Sequence, residues 1–188
     1  NHRVVKWNKG SNEGIVVAGG NGRGDALNQL IYPKQIKLDS SGNLYINDLS
    51  NNRIVKWEED ASEGVVVAGG NGQGSNLNQF NNAVDFDIDL SGNIYVSDYS
   101  NNRVVKWNPD ASEIKVVAEV SIPTQIHVDL NQNIYVKRGN DIQKFDANGP
   151  IDSYQELNDV TFGTSVIPFV VSGNNIFVIN HNEHSVRK

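Results

Sequence analysis

The feature that most constrains this chain is an internal repeat. Residues 39–57, DSSGNLYINDLSNNRIVKW, return almost letter for letter as residues 89–107, DLSGNIYVSDYSNNRVVKW. Trp7, Trp57 and Trp107 follow one another at intervals of 50 residues, and two GGNG segments keep the same interval. A period of this length built from short strands is typical of propeller blades or of a solenoid, in which each unit buries its apolar face against the next.

One complete unit contains four strand patterns and no helical period. Strand a is predicted at 34–39 (KQIKLD) and strand b at 43–48 (NLYIND), with a tight turn between them in which Gly42 can adopt a positive φ. Strand c follows a polar loop at 53–57 (RIVKW), and strand d covers 65–68 (VVVA). Four short antiparallel strands in each repeat predict an all-β fold, a β-propeller with four-stranded blades.

The repeat predicts a single domain, an array of units over residues 1–188. The chain contains no methionine and opens inside a repeat, so we expect it to be a segment of a longer array, with partial units at both ends. The later units diverge, and the interval from Tyr95 to Tyr135 is only 40 residues because the glycine-rich connection is missing there. The expected units are 1–33 (partial), 34–83, 84–123, 124–165 and 166–188 (partial).

The segments 42–57, GNLYINDLSNNRIVKW, and 92–107, GNIYVSDYSNNRVVKW, resemble the NHL repeat family. Its units combine a strand ending in aspartate, an asparagine-rich turn and a strand beginning with arginine, and the VVAGGNG segments also fit that pattern. The resemblance covers nearly the whole chain and weakens toward its end. It implies a β-propeller, usually of six blades, of which this chain would supply about four.

The charge, the absence of cysteine and the lack of long apolar runs exclude or disfavour several kinds of partner and site. The net charge is −6, from 16 basic and 22 acidic side chains, so the chain has no general attraction for phosphate backbones and nucleic acid is a disfavoured partner. Cysteine is absent, which excludes a disulfide framework and a thiolate metal site. No apolar run approaches the roughly 20 residues of a membrane span, and no membrane insertion is predicted.

Two Asp–Arg pairs recur at the same place in the repeat. Asp48 and Arg53, and likewise Asp98 and Arg103, lie five residues apart across the hairpin of strands b and c. An aspartate at a turn accepts backbone N–H groups, and it can form an ion pair with the arginine across the hairpin. Because a catalytic group rarely recurs in every repeat, these four residues are predicted to be structural.

The recurring aromatic residues are also predicted to have a structural role. Trp57 and Trp107 stand at one position of the repeat, and Tyr45, Tyr95 and Tyr135 stand at another. Large side chains at fixed positions of successive units are expected to pack between blades.

Lys37, Asp87 and His127 occupy one variable position in strand a of three successive units, in the strand predicted to lie nearest the propeller axis. We expect them to line the channel or one of its mouths. Asp87 and His127 are also weak candidates for metal binding, because some enzymes related to the NHL family, notably the lyase that completes peptide amidation, hold zinc through histidines near the axis. Catalytic zinc normally has three protein ligands, however, so no metal or catalytic site is predicted. His181 and His184 are expected in a solvated turn.

The segments 19–24, GGNGRG, and 69–74, GGNGQG, look superficially like phosphate-binding loops. A dinucleotide fingerprint requires a helix after the glycines, whereas another strand is predicted here. We expect these glycines to shape the connection from strand d to the next strand a, and no cofactor is predicted.

Three functional classes are compatible with these features to different degrees. The favoured one is an NHL-repeat propeller that serves as a protein or peptide interaction platform, with the loops 49–52 and 99–102 and the glycine-rich connections as its contact surface. The alternative is a metal-dependent propeller enzyme of the peptide-amidating lyase or lactonase kind, with a metal at the axis. RNA binding would need a basic face, and the acidic balance disfavours it.

Overall fold

Short strands in antiparallel sheets account for almost all of the regular structure. The computed structural model describes residues 1–139, 141–146, 154–156, 169–172, 175–180 and 185–187. Within these residues, two 3₁₀ turns occur, at Leu49–Asn51 and Tyr99–Asn101. The strands are β1 (Arg3–Trp7), β2 (Gly14–Gly19), β3 (Pro33–Leu38), β4 (Leu44–Asp48), β5 (Arg53–Trp57), β6 (Val65–Gly69), β7 (Ala83–Ile88), β8 (Ile94–Asp98), β9 (Arg103–Trp107), β10 (Ile114–Glu119), β11 (Pro123–Val128), β12 (Ile134–Arg138), β13 (Asp141–Phe145), β14 (Tyr154–Glu156), β15 (Phe169–Ser172), β16 (Asn175–Asn180) and β17 (Ser185–Arg187).

These strands form a succession of antiparallel sheets in which spatial order follows chain order. The sheets β3–β6, β7–β10 and β11–β14 each have four strands, while β1 and β2 form a two-stranded sheet and β15–β17 a three-stranded one. This up-and-down order is that of propeller blades. It confirms the predicted fold class, an all-β propeller of four-stranded blades present as a partial array; the unit boundaries remain predictions.

The turn between strands a and b differs in one detail from the prediction. Strand β3 ends at Leu38, so Asp39 does not belong to the strand. Its Oδ1 accepts the backbone N–H groups of Ser41 and Asn43, each at 2.9 Å, and the side chain therefore caps the turn. Gly42 has a φ of 84°, as the predicted tight turn requires.

The hydrophobic cores lie between successive sheets. Because alternate residues of a strand point to opposite faces, each sheet can bury apolar side chains on both sides. Between β3–β6 and β7–β10, Tyr45 and Ile54 of the first sheet pack with Phe86 and Trp107 of the second. Equivalent clusters fill the neighbouring gaps: Ile46, Val55 and Trp57 with Ala18 on one side, and Tyr95 and Val104 with Ile126 and Val136 on the other.

The first strand of each sheet lies toward the first strands of its neighbours. Strand β7 contacts both β3 and β11, so these three are the inner strands of successive blades. Antiparallel alternation then puts the turns 49–52 and 99–102 at the same end of the sheets as the connections 20–32 and 70–82. We call this end the loop face, and the opposite end, which carries the turns 39–43, 89–93 and 129–133, the turn face.

Replacing Phe86 by alanine should lower the free energy of unfolding by about 3–5 kcal/mol, the usual cost of removing a fully buried phenylalanine side chain. Phe86 is completely buried between two sheets, whereas Leu90, four residues later, is exposed on the turn face. The matched control Leu90→Ala should change the free energy of unfolding by less than about 0.5 kcal/mol. Urea denaturation followed by circular dichroism measures both, and equal losses would contradict an inter-sheet core.

Candidate functional site

Arg53, the first residue of β5, holds the connection that leads into its own sheet. Its Nε donates to Asp48 Oδ2 at 2.8 Å, and both side chains are buried. The remaining guanidinium N–H groups reach back to backbone carbonyls of the connection 20–32, because the planar fork of arginine can serve several acceptors at once. These acceptors are Asp25 O at 2.6 Å, Ala26 O at 3.1 Å and Gln29 O at 3.0 Å.

The Asp48 carboxylate ties the same connection to the turn after β4. Its Oδ1 accepts the backbone N–H of Ile31 at 2.6 Å, and its Oδ2 accepts a hydrogen bond from Asn51 Nδ2 at 2.7 Å. Asn51 Nδ2 also donates to Gly24 O at 3.1 Å. Every oxygen of the carboxylate therefore has a donor, and the connection is fixed at several points along its length.

The same arrangement recurs one sheet later. Arg103 Nε donates to Asp98 Oδ2 at 2.8 Å, and Asp98 Oδ1 accepts the N–H of Asn81 at 2.8 Å. The Arg103 guanidinium again binds carbonyl oxygens of the preceding connection, those of Ser75 at 2.9 Å, Asn76 at 2.8 Å and Gln79 at 3.1 Å. The structure thus brings together both predicted Asp–Arg pairs, and it adds contacts to the connections that the sequence had not indicated.

The third complete sheet departs from this pattern in two ways at once. Its register places Arg138 opposite Asp141, so the two charges are exchanged relative to Asp98 and Arg103. The connection leading into this sheet is short, residues 120–122. The sheet β11–β14 therefore lacks both the arginine at the start of strand c and the long connection that the two preceding sheets have. This joint loss supports the view that Arg53 and Arg103 serve to hold the long connections.

The glycine-rich connections lead into strands β3 and β7 and form close backbone crossings. Gly69 has a φ of 71°, and a Cβ atom there would collide with the carbonyl oxygen of Asn52. The N–H of Gly70 donates to that same oxygen at 2.9 Å. Asn71 Nδ2 donates to Asn78 O at 3.0 Å and closes the connection on itself. Glycine is thus required where the connection passes over the turn between β4 and β5.

Three side chains that the sequence placed at one variable position meet in the structure. Lys37 of β3, Asp87 of β7 and His127 of β11 come from the inner strands of three successive blades. Lys37 Nζ lies 2.9 Å from Asp87 Oδ1, and His127 Nδ1 lies 3.1 Å from Asp87 Oδ2. Asp87 is buried, while Lys37 and His127 are partly exposed. One carboxylate therefore links three blades near the axis.

Backbone groups complete the surroundings of Asp87. Its Oδ2 accepts the N–H of Val128 at 2.9 Å, and its Oδ1 accepts the N–H of Ile88 at 3.0 Å. Burial alone would raise the pKa of Asp87, but His127, Lys37 and the Val128 N–H together hold that pKa below its ordinary value. The carboxylate is therefore an ionised acceptor at neutral pH, with both oxygens in use.

Asp85, which was not a predicted site residue, makes the matching contact two residues earlier. Its Oδ2 accepts the N–H of Ile126 at 3.0 Å and its Oδ1 accepts the N–H of Phe86 at 2.9 Å. Burial raises the pKa of Asp85 to about 6, although these N–H groups and the charge of Lys37 act in the opposite direction. The signal that could have revealed it is the run DFDID, which puts acidic residues on one face of a strand whose other face is apolar.

The recurring aromatic residues lie between the sheets. Trp57 and Trp107 are buried in successive inter-sheet clusters, and Trp57 Nε1 donates to Ala61 O at 2.8 Å. Tyr45, Tyr95 and Tyr135 each face the following sheet. Trp7, which begins the series, is exposed at the first sheet.

Metal-binding groups do not converge in the part of the chain that the structure describes: no three His, Asp or Glu side chains there are placed to hold an ion. The two weak candidates, Asp87 and His127, contact each other. His181 and His184 lie outside the described residues. Within the described residues, no helix is long and apolar enough to cross a membrane.

Comparison with known proteins supports the fold but identifies no family for this chain. No protein-family model and no curated protein matches the chain. Among solved structures, the chain is similar to one from the nidogen/laminin complex, with a TM-score of 0.72 and 16% identity over 98% of this chain and 66% of that one. It is also similar to streptogramin B lyase (TM-score 0.50, 17% identity, 81% of this chain and 52% of that one). A third similar structure is a Bacteroides thetaiotaomicron protein of unknown function (TM-score 0.57, 15% identity, 72% and 39%).

These similar structures are of the propeller type, and at such identities they establish the propeller fold alone. The chain spans about two thirds of the nidogen/laminin structure and about half of the lyase.

Replacing Arg103 by alanine should release the connection 70–82. The change leaves the buried Asp98 carboxylate without its cation, which typically costs about 3–5 kcal/mol of the free energy of unfolding. Hydrogen exchange read by mass spectrometry should show faster exchange across 70–82, while the connection 20–32, held by Arg53, keeps its rate. The exposed Arg23 is the matched control, and Arg23→Ala should alter neither connection. Uniformly faster exchange in both connections would show that Arg103 does not act locally.

Replacing Asp85 by asparagine should flatten the dependence of stability on pH. The raised pKa means that the native state keeps a proton that the unfolded chain has already released, so this group lowers the free energy of unfolding as pH rises from 3.8 to about 6. Asparagine cannot titrate, and that slope should disappear. Urea denaturation at several values between about pH 4 and pH 7 measures it. The exposed control Glu59→Gln should retain the slope, and an unchanged slope in Asp85→Asn would contradict the assignment.

Proposed function

We propose that the chain is part of an NHL-type β-propeller that serves as a protein or peptide interaction platform, with the loop face as its contact surface. The observation that carries this proposal is that Arg53 and Arg103 hold two connections of the same sequence type in the same way. A surface that is already ordered loses little conformational entropy when a partner binds to it.

The held connections present equivalent apolar side chains to solvent. Leu27 is 42% exposed and Leu77 is 44% exposed, one in each connection. Three residues further along, Leu30 and Phe80 are completely buried and anchor the connections in the inter-sheet cores. Apolar side chains with polar ones around them, here mainly asparagine and glutamine, match the general arrangement of a protein-binding surface, which has an apolar centre and a polar rim.

Two further observations support the proposal. The similar structure with the TM-score of 0.72 is a complex, nidogen/laminin, so an array of this shape occurs in a protein assembly. The assignment to the NHL type is supported by the repeat itself, in which an aspartate ends strand b, an asparagine-rich turn follows and an arginine begins strand c, and by the contacts that these residues make.

A metal-dependent propeller enzyme of the peptide-amidating lyase or lactonase kind is the second candidate. The contact between Asp87 and His127 near the axis favours it, because it places a carboxylate beside an imidazole. Asp87 already binds Lys37 and the Val128 N–H, however, so a metal at this position would have to replace an ion pair.

A photo-crosslinking amino acid at Leu27 or at Leu77 should form a covalent adduct with the same discrete protein when the chain is produced in its native cells. Both positions lie on the loop face and would contact one partner there. Leu90, exposed on the turn face, is the matched control and should give no such adduct. Mass spectrometry identifies the adducts, and adducts from Leu90 alone, or equally from all three positions, would contradict the loop face as the contact surface.

Elemental analysis of protein purified without chelator separates the two candidates. Stoichiometric zinc or calcium that is lost in both Asp87→Asn and His127→Gln would favour the enzyme. Retention of the loop-face adducts in those two variants would favour the platform.

A further inference from the structure

Each of the two long connections contains an asparagine that is followed by glycine. Asn21–Gly22 lies in the connection 20–32, and Asn71–Gly72 lies in the connection 70–82. In such a pair no side chain hinders the backbone nitrogen of the glycine from approaching the carboxamide of the asparagine, and the glycine backbone rotates freely. An asparagine before glycine therefore loses its amide by itself more readily than one before a larger residue. A third pair, 148–149, lies outside the described residues.

The reaction at Asn71 needs water and no other reactant. The backbone nitrogen of Gly72 attacks Cγ of Asn71, so a bond forms between these atoms while the bond from Cγ to Nδ2 breaks. The proton lost by the glycine nitrogen passes through solvent to Nδ2, which leaves as ammonia. Water then opens the resulting succinimide ring at either carbonyl and yields aspartate or isoaspartate. Asn71 and Gly72 are both exposed, so water reaches them.

The side-chain amide of Asn71 is held by two backbone carbonyls. Its Nδ2 donates to Gly69 O at 3.1 Å and to Asn78 O at 3.0 Å. An asparagine amide has two N–H groups, and these two hydrogen bonds use both of them. Attack at Cγ makes that carbon tetrahedral and ends the planarity of the amide. Both hydrogen bonds must therefore be given up before ammonia can leave.

The peptide unit that carries the attacking nitrogen is held as well. Gln79 Nε2 donates to Asn71 O at 2.9 Å and fixes the orientation of the peptide between Asn71 and Gly72. The first long connection has the same contact, from Gln29 Nε2 to Asn21 O at 2.8 Å. Ring closure depends on the torsions of the carboxamide and of this peptide. The closed connection restricts both, so the folded chain opposes the reaction that its sequence favours.

Conversion would remove the group that closes the connection. A carboxylate in place of the Asn71 amide has no N–H to donate, and its negative charge would face the carbonyl oxygens of Gly69 and Asn78. Such an arrangement favours separation, because neither carbonyl would have a partner and both would oppose the charge. Isoaspartate would in addition lengthen the main chain by one methylene group. The connection 70–82 would therefore open where Asn71 now closes it.

We propose that Asn71–Gly72 is a self-deamidation site of the loop face, kept unreactive by the closed connection, and that its conversion to aspartate or isoaspartate releases the connection 70–82. Asn21–Gly22 is the equivalent site in the connection 20–32. The modification needs no enzyme, and local opening of a connection starts it. The proposal concerns the connections themselves and holds whether or not the loop face binds a partner.

The first test compares the folded chain with a free peptide of residues 65–82, VVVAGGNGQGSNLNQFNN, at the same mildly alkaline pH. Peptide mapping by mass spectrometry separates asparagine, aspartate and isoaspartate at Asn71. Conversion in the folded chain should be at least about tenfold slower than in the peptide, because two hydrogen bonds of the amide must be lost first. Equal rates would overturn the proposal, since the fold would then not control the site.

A crossed pair of variants gives each connection its own control. Gln79→Ala removes the hydrogen bond to Asn71 O and should speed conversion of Asn71 roughly two- to tenfold, the factor for one hydrogen bond, while Asn21 keeps its rate. Gln29→Ala should do the reverse. Neither change removes a buried charge, and circular dichroism verifies that both variants fold. Unchanged rates, or equal acceleration of both sites in each variant, would contradict local control by the closed connection.

The variant Asn71→Asp tests the consequence of the modification separately from its rate. Hydrogen exchange should become faster across 70–82 and stay unchanged across 20–32. The matched control is Asn76→Asp, which adds the same charge to the same connection at an exposed residue whose backbone carbonyl, rather than its side chain, binds Arg103. Exchange across 70–82 should keep its rate in this control. The same exchange in both variants would mean that deamidation does not release the connection, and the proposal would fail.

Discussion

A buried aspartate at the end of strand b is the constraint on which the loop face depends. Removing two charges from water costs several kcal/mol for each ion unless the remaining lone pairs and protons find partners. Asp48 and Arg53 meet this condition, because the carboxylate also accepts Ile31 N–H and Asn51 Nδ2, while the guanidinium also donates to three carbonyls of the preceding connection. We therefore regard the pair as fixing the position of the connection rather than as a net source of stability.

A second group of aspartates lies at the axis. Each inner strand has one edge there without a partner strand, and its backbone N–H groups need other acceptors. Asp85 and Asp87 are two residues apart, and so are Ile126 and Val128, whose N–H groups they accept. The match follows from the two-residue period that all strands share. Asp85 achieves this contact with N–H donors and no cation within ion-pair distance among the described residues, which is why burial dominates its pKa.

The strands and the hairpin contacts within a single repeat unit could be predicted from the sequence. Strand β5 has the predicted bounds, and both Asp–Arg pairs form, because hairpin contacts depend on spacing along the chain. Packing of the recurring aromatic residues between blades was predicted, but the polar contacts between blades were missed, since they depend on how successive sheets are angled and no strand pattern encodes that angle. Lys37, Asp87 and His127 were therefore predicted to share a position but not to bind one another. The hydrogen bonds from Arg53 to backbone carbonyls more than twenty residues earlier were not predicted either, because they too depend on the three-dimensional arrangement.

The divergence of the third blade makes the loop face unequal around the array. Two sheets carry a long connection held by arginine, and the third carries the short connection 120–122 and the reversed pair. The two long connections therefore lie on adjacent sheets, β3–β6 and β7–β10, and the loop face changes character at the third.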